Sequence, residues 1–352
     1  MRKLGIGVLG IGEMGRRHAE NIRRLVPQAT LAAVASASGN AEHARQFAHQ
    51  LEIEHYYRSL EAMLECKGLD AVVIAAPDKF HAQSICTSAH AGKSVLCEKP
   101  LALNLADAHA ALDAVAKAGT FLQIGFMRRY DPAYVAAMKR IEAGEIGVPV
   151  IFKSVGRDKD APPLSTYQAS LNGMLLYNNT IHDFDMARWL MQDEITEVHC
   201  FTTVAIRPEI AEYGDVVASV VNLRFREGAI GNIESYVQAA YGYDVRTEIA
   251  GSKGSISVGT LHQIPVTFLA SEGAKHVLAG HFLSRFADAY VAQLQDFVHC
   301  VLNDWPPRVS GEDGLRALTV AIAAENSQAR SETAKIPLEQ SVRLSAGEKL
   351  SP

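Results

Sequence analysis

Short apolar runs alternate with amphipathic helical patterns over the first 124 residues. The helical patterns predict helices at 13–25, 40–50, 59–66, 79–91 and 104–118. The apolar runs predict β-strands at 4–10, 30–36, 55–57, 70–76, 94–97 and 120–125. Regular alternation of strand and helix is typical of a doubly wound α/β fold, in which helices cover both faces of a parallel sheet. Ligands of such a sheet bind at the carboxyl ends of its strands.

The pattern changes near residue 125. Alternating, β-rich segments follow at 150–155, 197–206, 216–225, 229–238, 245–249 and 254–258. A turn signal, Arg226-Glu227-Gly228, lies between two of them and indicates a hairpin. Helical patterns occur at 180–192, 284–303 and 312–330. We therefore expect two domains, 1–125 and 126–352, of which the second is α+β with an antiparallel sheet. The last helices are expected to pack back on the first domain.

The composition narrows the possible classes of function. The chain has 352 residues, of which 48% are hydrophobic and 21% charged, so disordered and fibrous proteins are excluded. A net charge of −5 argues against a nucleic-acid partner. No apolar run approaches the roughly 20 residues that a membrane span needs, and no signal peptide is evident. The five cysteines include no C-x-x-C pair, which fits a reducing, cytoplasmic location and gives no zinc site. No His/Asp/Glu cluster has metal-ligand spacing, so no metal is expected.

A glycine-rich turn directly follows the first predicted strand and opens the first helix. The first glycine permits a tight turn, the second lets a pyrophosphate approach the backbone, and the third lets the helix pack closely on the strand. Free N–H groups at the helix N-terminus then face the phosphates. The motif alone also occurs as a structural turn, but its position favours a dinucleotide site. The residues assigned to the cofactor here are Gly10, Ile11, Gly12, Glu13, Met14 and Gly15.

The residues after the second strand bear on the choice between NAD and NADP. An acidic residue about 20 positions beyond the glycines would bind the ribose 2′-hydroxyl and favour NAD. No Asp or Glu occurs between Glu20 and Glu42. Ser36 and Ser38 stand there instead and could donate hydrogen bonds to a 2′-phosphate. The sequence therefore slightly favours NADP, with Arg16, Arg17 and Arg45 as possible partners of the phosphate.

Lys99 ends the fifth predicted strand, within Glu98-Lys99-Pro100. It is therefore expected at the ligand-binding edge of the sheet, where partial burial would lower its pKa and let it share a proton with a substrate oxygen. A surface lysine, or one paired with Glu98, is the alternative. By the same position, Ala76, Pro77 and Glu98 are assigned with Lys99 to the cofactor site.

His182 lies where a helix is expected to begin, after Thr180 as a possible N-cap. In the first turn of a helix its pKa would be lowered, and a neutral imidazole suits a general base. Asp185 follows on the same face. A capping or core histidine is the alternative.

Together, these segments resemble the family of glucose–fructose oxidoreductase, inositol dehydrogenase and rhizopine-catabolism proteins, above all bacterial inositol 2-dehydrogenases. The resemblance extends from about residue 3 to residue 330. Its motifs are the glycine turn, Glu98-Lys99-Pro100, Gly125 to Asp131, His182 to Asp185, Tyr236 with Tyr241 to Asp244, and Ser284 to Phe297.

The resemblance implies a Rossmann domain at 1–125 and a substrate-binding and oligomerisation domain at 126–352, with a large open, mostly antiparallel sheet. Dimers or tetramers commonly form through that sheet. The implied activity is NAD(P)-dependent oxidation of a secondary alcohol on a cyclic polyol or sugar, inositol-like or an aldopyranose. His182 would take the hydroxyl proton and Lys99 would stabilise the oxygen. Arg129 and Tyr236 would hold other hydroxyls, and Asp185 would orient the histidine or contact the substrate.

Asn178 departs from this family. Inositol dehydrogenases carry an Asp four residues before the histidine, where this chain has Asn178. An amide can still bind a hydroxyl or Lys99, so Asn178 is kept as a catalytic and substrate-binding candidate. It cannot hold Lys99 by ion pairing or stabilise a protonated His182. A cofactor-binding sensor without catalysis therefore remains an alternative, as does a family enzyme acting on another sugar derivative.

Overall fold

The computed structural model describes residues 2–37, 40–169, 173–259, 266–271, 273–276 and 278–337. Residues 4–124 form a six-stranded parallel sheet in the order β3-β2-β1-β4-β5-β6. Its strands are β1 (Leu4–Leu9), β2 (Ala29–Ala35), β3 (Tyr56–Tyr57), β4 (Ala71–Ile74), β5 (Ser94–Cys97) and β6 (Leu122–Ile124). Every residue of β1, β4 and β5 is buried, as expected where helices cover both faces of a parallel sheet.

The helices between these strands follow the predicted alternation. They are α1 (Glu13–Leu25), α2 (Ala41–Gln50), α3 (Leu60–Leu64), α4 (His81–His90) and α5 (Leu105–Ala118). Side chains at the N-caps of three of them accept a backbone N–H, namely Asn40, Ser59 and Asn104. The predicted doubly wound α/β fold of residues 4–124 is confirmed.

A second sheet follows, with seven strands in the order β12-β11-β7-β10-β9-β8-β15. They are β7 (Pro149–Arg157), β8 (Ile195–Thr203), β9 (Ala218–Phe225), β10 (Ile230–Tyr236), β11 (Asp244–Gly251), β12 (Ser255–Val258) and β15 (Ala334–Lys335). All neighbours are antiparallel except β7 and β10, which are parallel because the chain leaves the sheet for a helical segment after β7. The sheet is therefore mixed but mostly antiparallel, as predicted. A separate hairpin pairs β13 (Thr267–Ala270) with β14 (Gly273–His276).

The remaining α-helices all follow the parallel sheet in the chain. They are α6 (Pro132–Glu142), α7 (Leu164–Ala169), α8 (Ile181–Met191), α9 (Phe282–Arg285), α10 (Ala287–Asn303) and α11 (Gly311–Arg330). Leu294, Phe297 and Val298 of α10 join the apolar cluster beneath α1. Helix α11 packs on α5 as well as on α8 and β8. The C-terminal helices thus contact both halves of the chain. No helix among the described residues is long and apolar enough to cross a membrane.

Thr180 is not the N-cap predicted for α8. The preceding residues, Leu175–Thr180, form a π-helical turn that runs into α8 without a break. Thr180 itself has helical dihedral angles, φ −65° and ψ −25°. Its hydroxyl donates to the carbonyl of Leu175 at 3.0 Å instead of capping the helix. His182 is in the first turn of α8, but a helical turn precedes it, so it does not lie at a free helix N-terminus and the predicted dipole effect on its pKa does not apply.

Candidate active site

The three glycines of the N-terminal turn have different surroundings. Gly10 has φ +97°, and a Cβ there would lie 2.2 Å from the carbonyl oxygen of Ala75. A Cβ on Gly15 would lie 1.9 Å from the carbonyl oxygen of Gly10. A Cβ on Gly12, directly before α1, would meet nothing within 4 Å. The turn is therefore tightly packed on the protein side and open at Gly12, which fits a pyrophosphate against the backbone and the N-terminus of α1.

A groove of about 460 Å³ extends from this turn along the carboxyl ends of the parallel strands. All but two of the residues predicted to bind the cofactor line it; Gly15 packs behind the turn, and Ser38 lies outside the described residues. The predicted residues in its wall are Gly10, Ile11, Gly12, Glu13, Met14, Ser36, Ala76, Pro77, Glu98 and Lys99.

A second cavity of about 380 Å³ adjoins the groove. Both share Glu13, Met14, Glu98, Lys99 and Asn178 in their walls. The rest of the second cavity comes mainly from residues after 126 and combines apolar side chains, such as Met127 and Phe282, with polar ones. Its further polar side chains are Arg128, Arg157, Asp158, Asn179, His182, Asp183, Tyr243 and Tyr290. Ligand cavities are typically ~300–1,000 Å³, so there is room for a small polar molecule.

Lys99 lies where the two cavities meet. Its Nζ donates to the carbonyl oxygen and to the side-chain Oδ1 of Asn178, both at 3.0 Å. Burial lowers the pKa of Lys99, partly offset by the negative charges of Asp78, Glu98 and Asp158. A lysine whose pKa is lowered exchanges a proton with a substrate oxygen more readily than an exposed one.

His182 lies in the wall of the second cavity and is 8% exposed. Burial, followed by the positive charges of Arg128 and Lys99, holds its pKa well below the ordinary value. Its ring meets the edge of Phe126 with the centroids 5.8 Å apart. Its Nδ1 is buried without a hydrogen-bond partner among the described residues. The imidazole is therefore neutral near pH 7, as a general base requires, but the cause is burial rather than a helix dipole.

Glu98, directly after β5, contacts helix α1. Its Oε1 lies 2.7 Å from Nε2 of His18 on α1, and both side chains are buried. Burial acts to raise the pKa of Glu98, but the hydrogen bond and charge of His18, with the charge of Lys99, lower it overall. Gly125 lies beside this pair, and a Cβ there would come within 2.9 Å of Glu98 Oε2. The contact between Glu98 and His18 fixes the position of β5 relative to α1.

Three residues assigned to the substrate lie outside both cavity walls. Arg129 forms a bidentate ion pair with Asp185 at 2.6 and 2.9 Å and also contacts Asp313 at 2.9 Å. Asp185 is 0% exposed, so it faces this pair rather than a ligand. Tyr236 packs at the end of β10 in a separate apolar cluster, and its carbonyl accepts the N–H of Asp158 at 2.8 Å. All three residues thus contact other parts of the protein and do not line the cavity.

Other residues of the site were not singled out from the sequence. Arg128 is buried and pairs with Asp183 at 2.7 Å, which also accepts a 2.5 Å bond from Ser154. Asp78 follows β4 and accepts a 3.2 Å bond from Asn178 Nδ2. Asp158, directly after β7, accepts a bond from Asn179. The position of Asp78 just after a parallel strand was a signal that the sequence contained. Among the described residues, no three His, Cys, Asp or Glu side chains form a group that could hold a metal.

Comparison with known proteins agrees with this geometry. Residues 4–126 match the family described as "Oxidoreductase family, NAD-binding Rossmann fold", and residues 138–338 match its "C-terminal alpha/beta domain". This chain belongs to that oxidoreductase family. This membership, together with the inositol 2-dehydrogenases among the relatives, confirms the predicted class, a nicotinamide-dependent oxidoreductase acting on CH–OH groups.

Relatives in the family cover nearly the whole chain. The scyllo-inositol 2-dehydrogenase (NAD(+)) of Bacillus subtilis is 40% identical over 91% of this chain and 92% of its own length. The myo-inositol 2-dehydrogenase of Thermotoga maritima is 36% identical over 94% of this chain and 98% of its own. The structure of scyllo-inositol dehydrogenase from Lactobacillus casei with bound NAD(H) and scyllo-inositol superposes with a TM-score of 0.89. It is 27% identical and covers 95% of this chain and 99% of that one.

Proposed function

We propose that this protein oxidises a secondary alcohol of a cyclic polyol or sugar, inositol-like or an aldopyranose, by hydride transfer to nicotinamide. The observation that carries the proposal is the position of Lys99 and Asn178, which line both the cofactor groove and the polar cavity. A substrate in that cavity would lie between His182 and the groove. The inositol dehydrogenases among the relatives support a cyclic polyol as the substrate class.

The residues of the chain then have separate roles in the reaction. A bound nicotinamide dinucleotide supplies the hydride acceptor. The neutral imidazole of His182 accepts the proton of the substrate hydroxyl. Lys99 Nζ donates a hydrogen bond to the same oxygen and stabilises its developing negative charge. Asn178 holds Nζ in place through two bonds, and the polar walls contributed by Arg157, Asp158 and Tyr243 bind the remaining hydroxyls.

A screen of inositols, aldoses and aldonates with NAD⁺ and NADP⁺, followed at the nicotinamide absorbance, tests this function. We expect turnover of at least one inositol or aldopyranose. Cofactor binding without turnover of any compound in the panel would contradict it and favour the non-catalytic sensor.

We also propose that NADP is accepted at least as well as NAD. Ser36, Ala37 and His43 line the far end of the groove, and none of them carries a negative charge that would repel a 2′-phosphate. Arg45 is engaged with Glu42 through two 2.8 Å bonds, so it is not poised for the phosphate. Steady-state kinetics with both cofactors test the preference, and a kcat/KM for NAD more than about tenfold higher, a difference of ~1.4 kcal/mol, would exclude it.

We propose that residues 1–125 bind the dinucleotide and that residues 126–352 bind substrate and form a homodimer or homotetramer. Phe201, Val220 and Ile230 share the exposed face of the second sheet and are 61%, 39% and 48% exposed, which is apolar area that a second copy could bury. The five unpaired cysteines support a cytoplasmic location. Light scattering on the purified protein tests the assembly.

A further inference from the structure

Asn178 bridges two charged residues at the junction of the cavities. Its Oδ1 accepts from Lys99 Nζ at 3.0 Å, and its Nδ2 donates to Asp78 Oδ2 at 3.2 Å. Only this orientation of the amide satisfies both neighbours, because an ammonium only donates and a carboxylate only accepts. The side chain at 178 must therefore offer an acceptor on one side and a donor on the other.

An aspartate at 178 would meet Asp78 differently. Two carboxylates in contact repel each other unless one of them is protonated, which raises one of the two pKa values. The amide avoids this repulsion. Of the pair at 78 and 178, only Asp78 then carries a negative charge, and Asn178 lies between it and Lys99. Asp78 comes from the segment after β4 and Asn178 from the π-helical turn before α8, so the bridge also joins the two halves of the chain.

We propose that Asp78 is a positioning residue of the active site: through Asn178 it supplies the negative charge that holds Lys99, and Asp78 and Asn178 form a matched pair. This inference rests on the proposed function for the role of Lys99. Asp78 is the first among the charges that oppose the lowering of the pKa of Lys99, ahead of Glu98 and Asp158, whereas Arg128 acts with burial to lower it.

The pair makes a prediction about pH. The charged form of Lys99 is the one that donates to the substrate oxygen, so activity falls as pH rises through the pKa of Lys99. Removing the charge of Asp78 lowers that pKa further and moves the basic limb of the kcat/KM profile to lower pH. Restoring a carboxylate at 178 moves the limb back up. A residue that only stabilised the fold would leave the limb in place.

A four-protein cycle tests the pairing: wild type, Asp78→Asn, Asn178→Asp and the double variant. We expect Asp78→Asn to lower kcat/KM on the order of tenfold in the wild-type background, within the usual range of coupling between contacting residues. In the Asn178→Asp background the same change should raise kcat/KM, because it removes the contact between two carboxylates. The basic limb should follow the same pattern. Equal effects of Asp78→Asn in both backgrounds, within about threefold, would overturn the matched pair.

Asp158→Asn combined with Asn178→Asp is the matched control. Asp158 also lies near Lys99, but it bonds Asn179 rather than Asn178. This double variant keeps Asp78 in contact with a carboxylate at 178, so its melting temperature should not recover. The melting temperature is the readout here because Asp158 also lines the proposed substrate cavity. Recovery equal to that of Asp78→Asn would show that net charge alone matters and would also overturn the pair.

The melting temperatures of the same four cofactor-free proteins separate this inference from the proposed function. The sign reversal should appear there too, by about 2 °C or more, without any substrate. If the wild type turns over none of the tested polyols, the proposed function fails, while the melting temperatures still decide for or against the pair. If the effects of the two substitutions on melting temperature and on kcat/KM are both additive, Asp78 and Asn178 are not a matched pair.

Discussion

Lys99, two residues beyond the end of β5, donates to both oxygens of Asn178 at 3.0 Å, although the two residues are 79 positions apart. This contact crosses from the parallel sheet to the helical segment before α8. It places the only lysine of the two described cavity walls at their junction. The proposed chemistry therefore depends on a contact between the two halves of the chain.

Replacing Lys99 should remove most of the activity. We expect Lys99→Ala to lower kcat by at least ~100-fold, because the substrate oxygen loses its donor. Because burial lowers the pKa of Lys99, the wild-type rate should fall with rising pH already below 10.5, the ordinary value for lysine. Initial rates over a pH series measure both effects. Lys93→Ala is the control: Lys93 precedes the same strand at its opposite end and donates to the Leu69 carbonyl at 2.8 Å. A similar loss in both variants would contradict the role of Lys99.

The base should be detectable from the acid side of the profile. Burial, with the charges of Arg128 and Lys99, lowers the pKa of His182, so the neutral imidazole persists below pH 6.5. We expect the acid limb of kcat/KM below that pH, and His182→Gln should lower kcat by at least ~100-fold. His299→Gln, on an exposed position of α10, serves as the control. Wild-type rates in His182→Gln would exclude His182 as the base.

The parallel sheet and its ligand edge could be predicted because their signals are local. Strands β1, β4 and β5 are short, wholly buried runs, and Gly10 and Lys99 follow strand ends within two residues. Helix α6 was missed although Asp131 and Pro132 are an N-cap and first-turn signal. Asp131 closes the motif from Gly125 that carries the resemblance, and no helix was predicted after it.

The rest of the site depends on contacts between distant residues. Arg129 belongs to a family motif, but its direction is set by Asp313, 184 positions away. Asn178 gains its role from Asp78, 100 positions away. The cause of the lowered pKa of His182 was predicted wrongly because the π-helical turn before α8 has no apolar period that announces it. Spacing along the chain cannot predict these pairings, since the partners come together only in the folded protein.

The glycine turn offers two substitutions with opposite outcomes. Gly15→Ala should destabilise the protein by ~1–3 kcal/mol, because the added Cβ would lie 1.9 Å from the Gly10 carbonyl oxygen and the backbone must shift. Gly12→Ala meets nothing within 4 Å and should cost at most ~1 kcal/mol as an N-cap change. It should nevertheless weaken cofactor binding by ~10-fold or more, because its methyl group occupies the space of the pyrophosphate. Urea unfolding and cofactor fluorescence titration measure the two effects. Unchanged affinity in Gly12→Ala would show that the phosphates bind elsewhere.

Arg129 distinguishes a structural ion pair from the substrate contact that the family resemblance implied. Its side chain is 8% exposed, and the guanidinium pairs with Asp185 from α8 and Asp313 from α11. Arg129→Met would leave the fully buried Asp185 carboxylate without its partner, which typically costs ~3–5 kcal/mol. Arg140→Met is the matched control, since Arg140 pairs with Glu145 at 2.7 Å but is 63% exposed, where such pairs contribute at most ~1 kcal/mol.

Urea unfolding and Michaelis–Menten kinetics on both arginine variants separate the two roles. With Asp185 also replaced, by Leu, the double variant should recover part of the stability lost in Arg129→Met, because no unpaired carboxylate remains buried. The substrate KM at a temperature where Arg129→Met is still folded should stay within about threefold of wild type, a difference below ~1 kcal/mol. A stable Arg129→Met protein with a strongly raised KM would instead show that Arg129 contacts the substrate.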